Sequence, residues 1–333
     1  MSRPLAALTI LAVALCACGA DATDARTRAC DRLVSPGHRA VQRLVDSLRP
    51  GEVGCLRQGT YRGPVTIRRS GKPGRPITLQ PRPGARARLV GPFTVTREAA
   101  HVVVRRLYLD GTQSPGVPGP IINGRRILFL ENDVTNRHTA ICFNLGHPRF
   151  GVARDVTIQR NRIHDCGRLP PTNLDHGVYV GLSRGARIVG NWIYENADLG
   201  IQLYPDARDT VVAGNVIDGN GEGIIFGGSE RVAASDNVVR GNVISNSRVR
   251  NNVEWHFDGP VGDGNVLRGN CIGGGIRDVG NGGIMEPVIG FTAVDNVIAP
   301  PSFRAPGDYR LAPGSPCTRV LAGDPSRVPG PPR

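Results

Sequence analysis

Lysine is almost missing from this chain: Lys72 is the only one among 41 basic residues. So one-sided a use of arginine reads as codon bias rather than tuning of individual sites. Aromatic residues make up only 5%, and beyond residue 22 no long apolar run occurs. A membrane-spanning body, a coiled coil and a helical bundle do not fit that pattern. No CxxC or CxxH spacing appears, which leaves a zinc site without its usual ligand frame. Glycine and proline, 44 and 27 of 333 residues, stay below the roughly 25–30% that marks low-complexity disorder. What is plentiful is positive charge: a formal net charge of +13 favours acidic partners such as uronate glycans or nucleic acid. The length allows two or three domains, or one elongated β domain.

Residues 1–22 bear on which partner is available. Arg3 precedes "LAALTILAVALCA", an apolar stretch too short to span a bilayer comfortably, so the segment reads as an export signal. "LCAC" ends in Cys18, which would carry a lipid if it is a bacterial lipobox; ordinary secretion with cleavage after Ala22 is the alternative. Either route leads out of the cytoplasm, to a cell-surface lipoprotein or a secreted protein, and away from nucleic acid. A membrane is then met only through an N-terminal lipid. Both leave Cys30, Cys55, Cys142, Cys166, Cys271 and Cys317, an even set that reads as disulfides. Their spacings predict the pairs 30–55, 142–166 and 271–317.

The strongest signal is an internal repeat. An N-x-[IV] element begins at Asn132, Asn161, Asn191, Asn215, Asn242, Asn270 and Asn296, at intervals of 24 to 30 residues. A short β pattern precedes each, and as far as Asn270 a second short strand follows after a polar turn. In that second strand Ile141, Val178, Ile201, Ile224, Val253 and Ile284 form one aliphatic column, with Phe143, Val180, Leu203, Phe226 and Trp255 two places on. Glu286 is the exception. Period two sends these columns to a core and the residues between them outward. A Gly at 177, 200, 223 and 283 precedes the strand. The repeat has no helical pattern in its middle, which excludes a βαβ unit. It fits one coil of a parallel β-helix, each coil stacked about 4.8 Å above the last. The repeated Asn would tolerate a left-handed bend and bond to its equivalent one coil on.

With these repeats over residues 101–300, the opening "CLRQGTYRGPVTIRRSGKPGRPITLQPRPGARARLVG" and the ending "YRLAPGSPC", the chain resembles the right-handed parallel β-helix superfamily of pectate-lyase-like proteins. The resemblance implies an all-β fold, a single-stranded right-handed parallel β-helix of roughly nine or ten turns with a short N-terminal capping helix. Val41, Leu44, Val45 and Leu48 supply the apolar face of that helix. The divisions are a signal peptide at 1–22, an N-terminal segment at 23–54, the β-helix at 55–317 and a Pro/Arg-rich tail at 318–333. That superfamily holds lyases, hydrolases, epimerases and non-catalytic adhesins, so it implies no single activity. The "WxDH" of pectate lyases and the "NTD", "GHG" and "RIK" set of polygalacturonases do not occur. A lysine base exists only at Lys72, which leaves Arg184 and Arg208 as arginine candidates.

Candidate chemistry gathers on the outward column and the turn before it. "DHG" at 175–177 follows the longest insertion within a coil, His164 to Leu174, a plausible groove wall. Asp175 and Asp198 share a column on successive coils, where close carboxylates split into one acid and one base. Asp175, His176 and Asp198 are therefore the candidate catalytic group. Clustered oxygens of that kind could equally bind Ca²⁺; no other cofactor is expected. Glu254 and His256 lie two apart on one outward face, where a carboxylate could orient an imidazole. Tyr179 and Tyr204 could stack on sugar rings. Together with Gln202 and Arg208, these residues make up the candidate substrate-binding set. The expectation is a monomeric, exported, carbohydrate-active protein that binds an acidic polysaccharide and, if it is an enzyme, cleaves it as a lyase or glycoside hydrolase. A non-catalytic adhesin or a structural protein bound to cell-envelope glycan is the alternative.

Overall fold

A computed structural model describes residues 29–112 and 116–320. The export signal at 1–22 with Cys18, and residues 321–333 of the tail, lie outside the described residues. The chain winds as a right-handed parallel β-solenoid of about nine turns. Each coil contributes up to three short strands. The first stack runs from Arg32–Val34 and Val53–Leu56 through Arg187–Val189 to Thr292–Val294. The second, a ten-stranded sheet, runs from Gly59–Arg62 to Val297–Ile298. The third includes Phe143–Leu145, Val178–Arg184, Leu199–Arg208, Glu222–Gly228 and Val253–Phe257. First and third stacks merge into one twenty-stranded sheet, with the long strands Val178–Arg184 and Leu199–Arg208 reaching from one into the other.

Coils are held in register by amides. Asn132, Asn161, Asn191, Asn215, Asn242, Asn270 and Asn296 form one continuous ladder, each Nδ2 donating to the next Oδ1 at 2.9–3.0 Å. That oxygen also accepts the backbone N–H of the preceding Asn, as from Asn191 to Asn215 at 2.9 Å. The remaining Nδ2 proton goes to a strand carbonyl, as from Asn215 to Ile188 at 2.8 Å. Amides buried in this way must satisfy both donors and the acceptor, and here they do. The left-handed residue of the bend is not the Asn, as the sequence led us to expect, but the one before it: Glu131, Arg160, Gly190, Gly214, Gly241, Gly269 and Asp295. The bend needs one left-handed residue, and placing it first turns the Asn side chain inward. Shorter ladders, Asn196–Asn220 and Asn237–Asn265, brace the other two bends at 2.8 Å.

The aliphatic columns hold with one correction. Phe143, not Ile141, pairs with Val178, and Leu145 pairs with Val180. A slip of two residues preserves the alternation, so periodicity cannot detect it. From Val178 through Ile201, Ile224 and Val253 to Ile284 the registers are as read. Gly177, Gly200 and Gly223 are required by crowding rather than by φ: a Cβ at Gly200 would meet Ile217 Cγ2 at 2.7 Å and the Gly223 carbonyl at 3.0 Å. Inside, Phe93, Phe129 and Phe143 pack edge to face at 5.9 and 5.2 Å.

Both ends are dressed. Helix Ala40–Ser47 buries Val41, Leu44 and Val45 over the first coil, and Cys30–Cys55 ties the strand ahead of it down. Cys142–Cys166 links two bends. At the other end the "YRLAPGSPC" segment is no further coil. Phe303–Ala305 and Asp308–Leu311 form an antiparallel hairpin that lies outside the second stack. Its Tyr309 packs on Trp192 and Tyr194 at 5.5 and 4.7 Å. Cys271–Cys317 closes this strap over a second small core that includes Val216 and Val243.

Two outcomes follow for stability. Asn215→Ala strands the Asn191 backbone and amide donors and the Ile188 carbonyl; urea unfolding should show a loss of about 3 kcal/mol or more. Replacing Cys271 and Cys317 by Ser opens a 46-residue separation. It should cost about 4 kcal/mol in the chain-entropy model and expose Trp192 to collisional quenching, with the coils otherwise intact.

Candidate active site on the third stack

The outer face of the third stack carries Asn144, Tyr179, Gln202, Ile225 and Glu254 in register. The insertion before it folds along the solenoid axis. Asp198 Oδ2 caps it, accepting the backbone N–H of Leu174 at 3.0 Å and of Asp175 at 2.9 Å. Asp175 in turn accepts the Arg168 backbone N–H at 3.1 Å and pairs with its guanidinium. From this anchored base the loop reaches far enough for Asn173 Oδ1 to accept from Arg250, 77 residues on, at 2.7 Å. The loop is thus a wall running along one edge of the face. Asp175 and Asp198 are brought together as read, but each has an oxygen committed to holding that wall. His176 is buried and stacks on Tyr179 with ring centroids 5.9 Å apart. Burial pushes its pKa down to about 3, so it stays neutral.

Behind the wall lies a carboxylate the sequence left in the background. Glu222 is 2% exposed, and Arg250 Nη2 stands 2.7 Å from both of its oxygens. The same Nη2 lies 3.4 Å from Glu254 Oε2. Burial, opposed by Arg250 and reinforced by Glu254 and Asp198, carries the Glu222 pKa up to about 7. Glu254 also accepts the backbone and side-chain N–H groups of Asn251 at 2.9 and 3.1 Å. It therefore belongs to this cluster and does not orient His256, which is exposed and pairs with Asp258 at 3.0 Å. The signal for Glu222 was its register. It stands two coils from His176 in the same bend column, opposite Leu199, and only the fold puts Arg250 on it.

The remaining candidates are spread along the strands. Tyr179 and Tyr204 are outward and half-buried, and their rings crowd Gly181 and Gly227. Arg184 and Arg208 stand at the far strand ends, both paired to Asp206 at 2.6 and 2.8 Å. Among the described residues no three His, Cys, Asp or Glu side chains converge as metal ligands. Arg250 fills the space among the carboxylates.

Fold and groove together define a parallel β-helix with a walled polar face. The chain belongs to the family described as the right-handed beta helix region, whose model matches residues 100–284. No curated protein matches it in sequence. Among solved structures it is similar to the pectate lyase Pel9A, with 15% identity over 81% of this chain and 79% of that one and a TM-score of 0.59. It is also similar to an alginate lyase from Paenibacillus sp. str. FPU-7, with 14% identity over 80% and 99% of the two chains and a TM-score of 0.51. A rhamnogalacturonan lyase matches with 12% identity over 76% and 80% and a TM-score of 0.50.

Glu222 binds its proton more tightly folded than unfolded, since its pKa rises from 4.5 to about 7. The folded state then holds more protons between those values, so this group's stabilisation is full below 4.5 and is lost as pH rises to 7. Melting curves of Glu222→Gln should accordingly gain on the wild type between pH 5 and pH 8 (conditions set by the pKa window).

Proposed function

We propose that this protein binds an acidic polysaccharide along the outer face of the third stack and cleaves it by β-elimination. Glu222 is the base and Arg250 the cation that meets the uronate carboxylate. The observation that carries the reading is the buried Glu222–Arg250 pair beside Glu254. A carboxylate with a pKa near the working pH is a competent base. When Glu222 takes the proton beside the uronate carboxylate, it loses its own charge and its hold on Arg250. The guanidinium is then free for the negative charge developing on the sugar. The C–H electrons form the new C=C bond, the neighbouring C–O bond breaks, and the glycosidic oxygen takes a proton from solvent. Glu222 returns its proton to solvent.

In this reading Asp175 and Asp198 hold the wall, and His176 keeps Tyr179 in place. Tyr179, Gln202 and Tyr204 contact sugar, while Arg208 and Arg184, both tied to Asp206 at the far strand ends, lie beyond the groove. Three disulfides suit an exported protein. No described helix is long and apolar enough to cross a membrane, and we assign the attachment at Cys18, or release after Ala22, to the N-terminal signal. A monomer suffices, because one chain supplies the whole groove.

Unsaturated-product absorbance across a panel of polyuronates tests the cleavage. Glu222→Gln should lower the rate at least about tenfold, or about 1.4 kcal/mol, and leave the fold intact. The wild-type rate should rise with pH through about 7 as Glu222 deprotonates. Saturated reducing ends would point to a hydrolase instead, and binding without product would point to adhesion.

A further inference from the structure

The bend from the third stack into the first carries a row of charge. Arg125, Arg154, Arg184 and Arg208 are paired one to the next in parallel register on four consecutive coils. Ala100 precedes the row and Ser235 follows it. The residues just before the row, Gly124, Ala153, Ser183 and Ala207, are small and buried, so the bend closes tightly and the arginines project outward. Their backbones are spaced about 4.8 Å apart along the solenoid axis. Asp206 neutralises part of the Arg184–Arg208 end, at 2.6 and 2.8 Å. Nearby Asp155 faces Arg126 at 3.9 Å, and Asp209 is exposed one residue beyond Arg208. Arg125 and Arg154 are exposed and, among the described residues, their side chains make no hydrogen bond or ion pair. Like charges directly across a sheet ladder repel, so this row opposes folding, and an anionic partner would relieve that repulsion. Beside the row, the bridged turn His147–Gly151 packs on Arg97 and Asn123 through Gly151. It holds Phe150 56% exposed, its ring tilted against His147 at 4.9 Å and four residues ahead of Arg154 in the chain.

We propose that this arginine row is a second glycan-binding surface that tracks a single linear polyuronate parallel to the solenoid axis. A pyranose chain advances by about one coil spacing per sugar, so each coil offers one guanidinium to one uronate carboxylate, and Phe150 stacks on a ring. The row lies the length of the strand Leu199–Arg208 away from Asp198 and Glu222, on a different edge of the third stack. It holds a polymer on the protein while the groove engages another stretch. The partner class is the one given under the proposed function, but the surface does not depend on cleavage.

The test uses Arg125→Gln/Arg154→Gln in the full chain, with labelled oligogalacturonate and oligoguluronate, neutral dextran, and single-stranded DNA as probes. Both side chains are exposed and make no bond among the described residues, so the melting temperature should hold or rise. Uronate affinity should fall at least about tenfold, and the dependence of log K on log salt should become shallower by about 1.5, the counterion release of two contacts. Short uronates that fill only the groove should be cleaved at the wild-type rate. Unchanged uronate affinity in the double variant overturns the inference and leaves the groove reading standing. Tighter binding of DNA than of uronate of equal charge overturns it in favour of nucleic acid. Lost binding in the double variant, with no product from the wild type, upholds the row and removes the cleavage.

Discussion

Everything in this molecule hangs on the stacking of one coil on the next at the spacing of paired β-strands. The Asn132–Asn296 ladder enforces it, because each amide bonds forward to the next amide and backward to a strand carbonyl. A coil that slipped by one residue would break buried donors and acceptors at several levels at once, and those groups have no water to turn to. The bends are equally determined. One left-handed residue turns the chain and the next residue points inward, so each bend is short and the strands stay in register.

That regularity converts sequence intervals into distances. Residues 23 to 30 apart become neighbours on the outer surface, and columns of like residues become linear features along the axis. The insertion after Cys166 exploits this. Anchored by Asp198 on the following coil, it stretches along the axis to Arg250. The Glu222–Arg250–Glu254 group and the arginine row both arise from register alone. In the first, opposite charges are brought together inside a wall, so burial and pairing compete over one proton. In the second, like charges are aligned in the open, and Arg125 and Arg154 are exposed there.

The termini show the same constraint from the other direction. A solenoid end exposes unpaired strand edges, and the amino-terminal end is closed by an amphipathic helix fastened near a disulfide. The carboxyl-terminal segment instead leaves the coil path and covers Trp192, Tyr194 and Val243 on the second stack. Those outward residues are apolar where the same face of earlier coils holds Asp133, Arg162 and His164. The strap therefore completes a core that the coils leave open.

Periodicity made the solenoid legible: the Asn interval, the alternating aliphatic columns and the cysteine spacings are local patterns, and local patterns survive in a sequence. The insertion and the shared column of Asp175 and Asp198 were legible too, because the insertion interrupts the repeat, whereas their role as its anchors came only with the fold. Other features were not. The two-residue offset that makes Phe143 the partner of Val178 is invisible to a period of two. The partner of Glu254 is Arg250 and not His256, since backbone bends override nearness along a strand. The pKa of Glu222 comes from burial in its bend, opposed by Arg250 and reinforced by Glu254 and Asp198 on the neighbouring coils. The sequence by itself determined the coil, its ladder and its staples, whereas only the tertiary structure decided how the charges of the site meet, because Glu222 and Arg250 come from different coils.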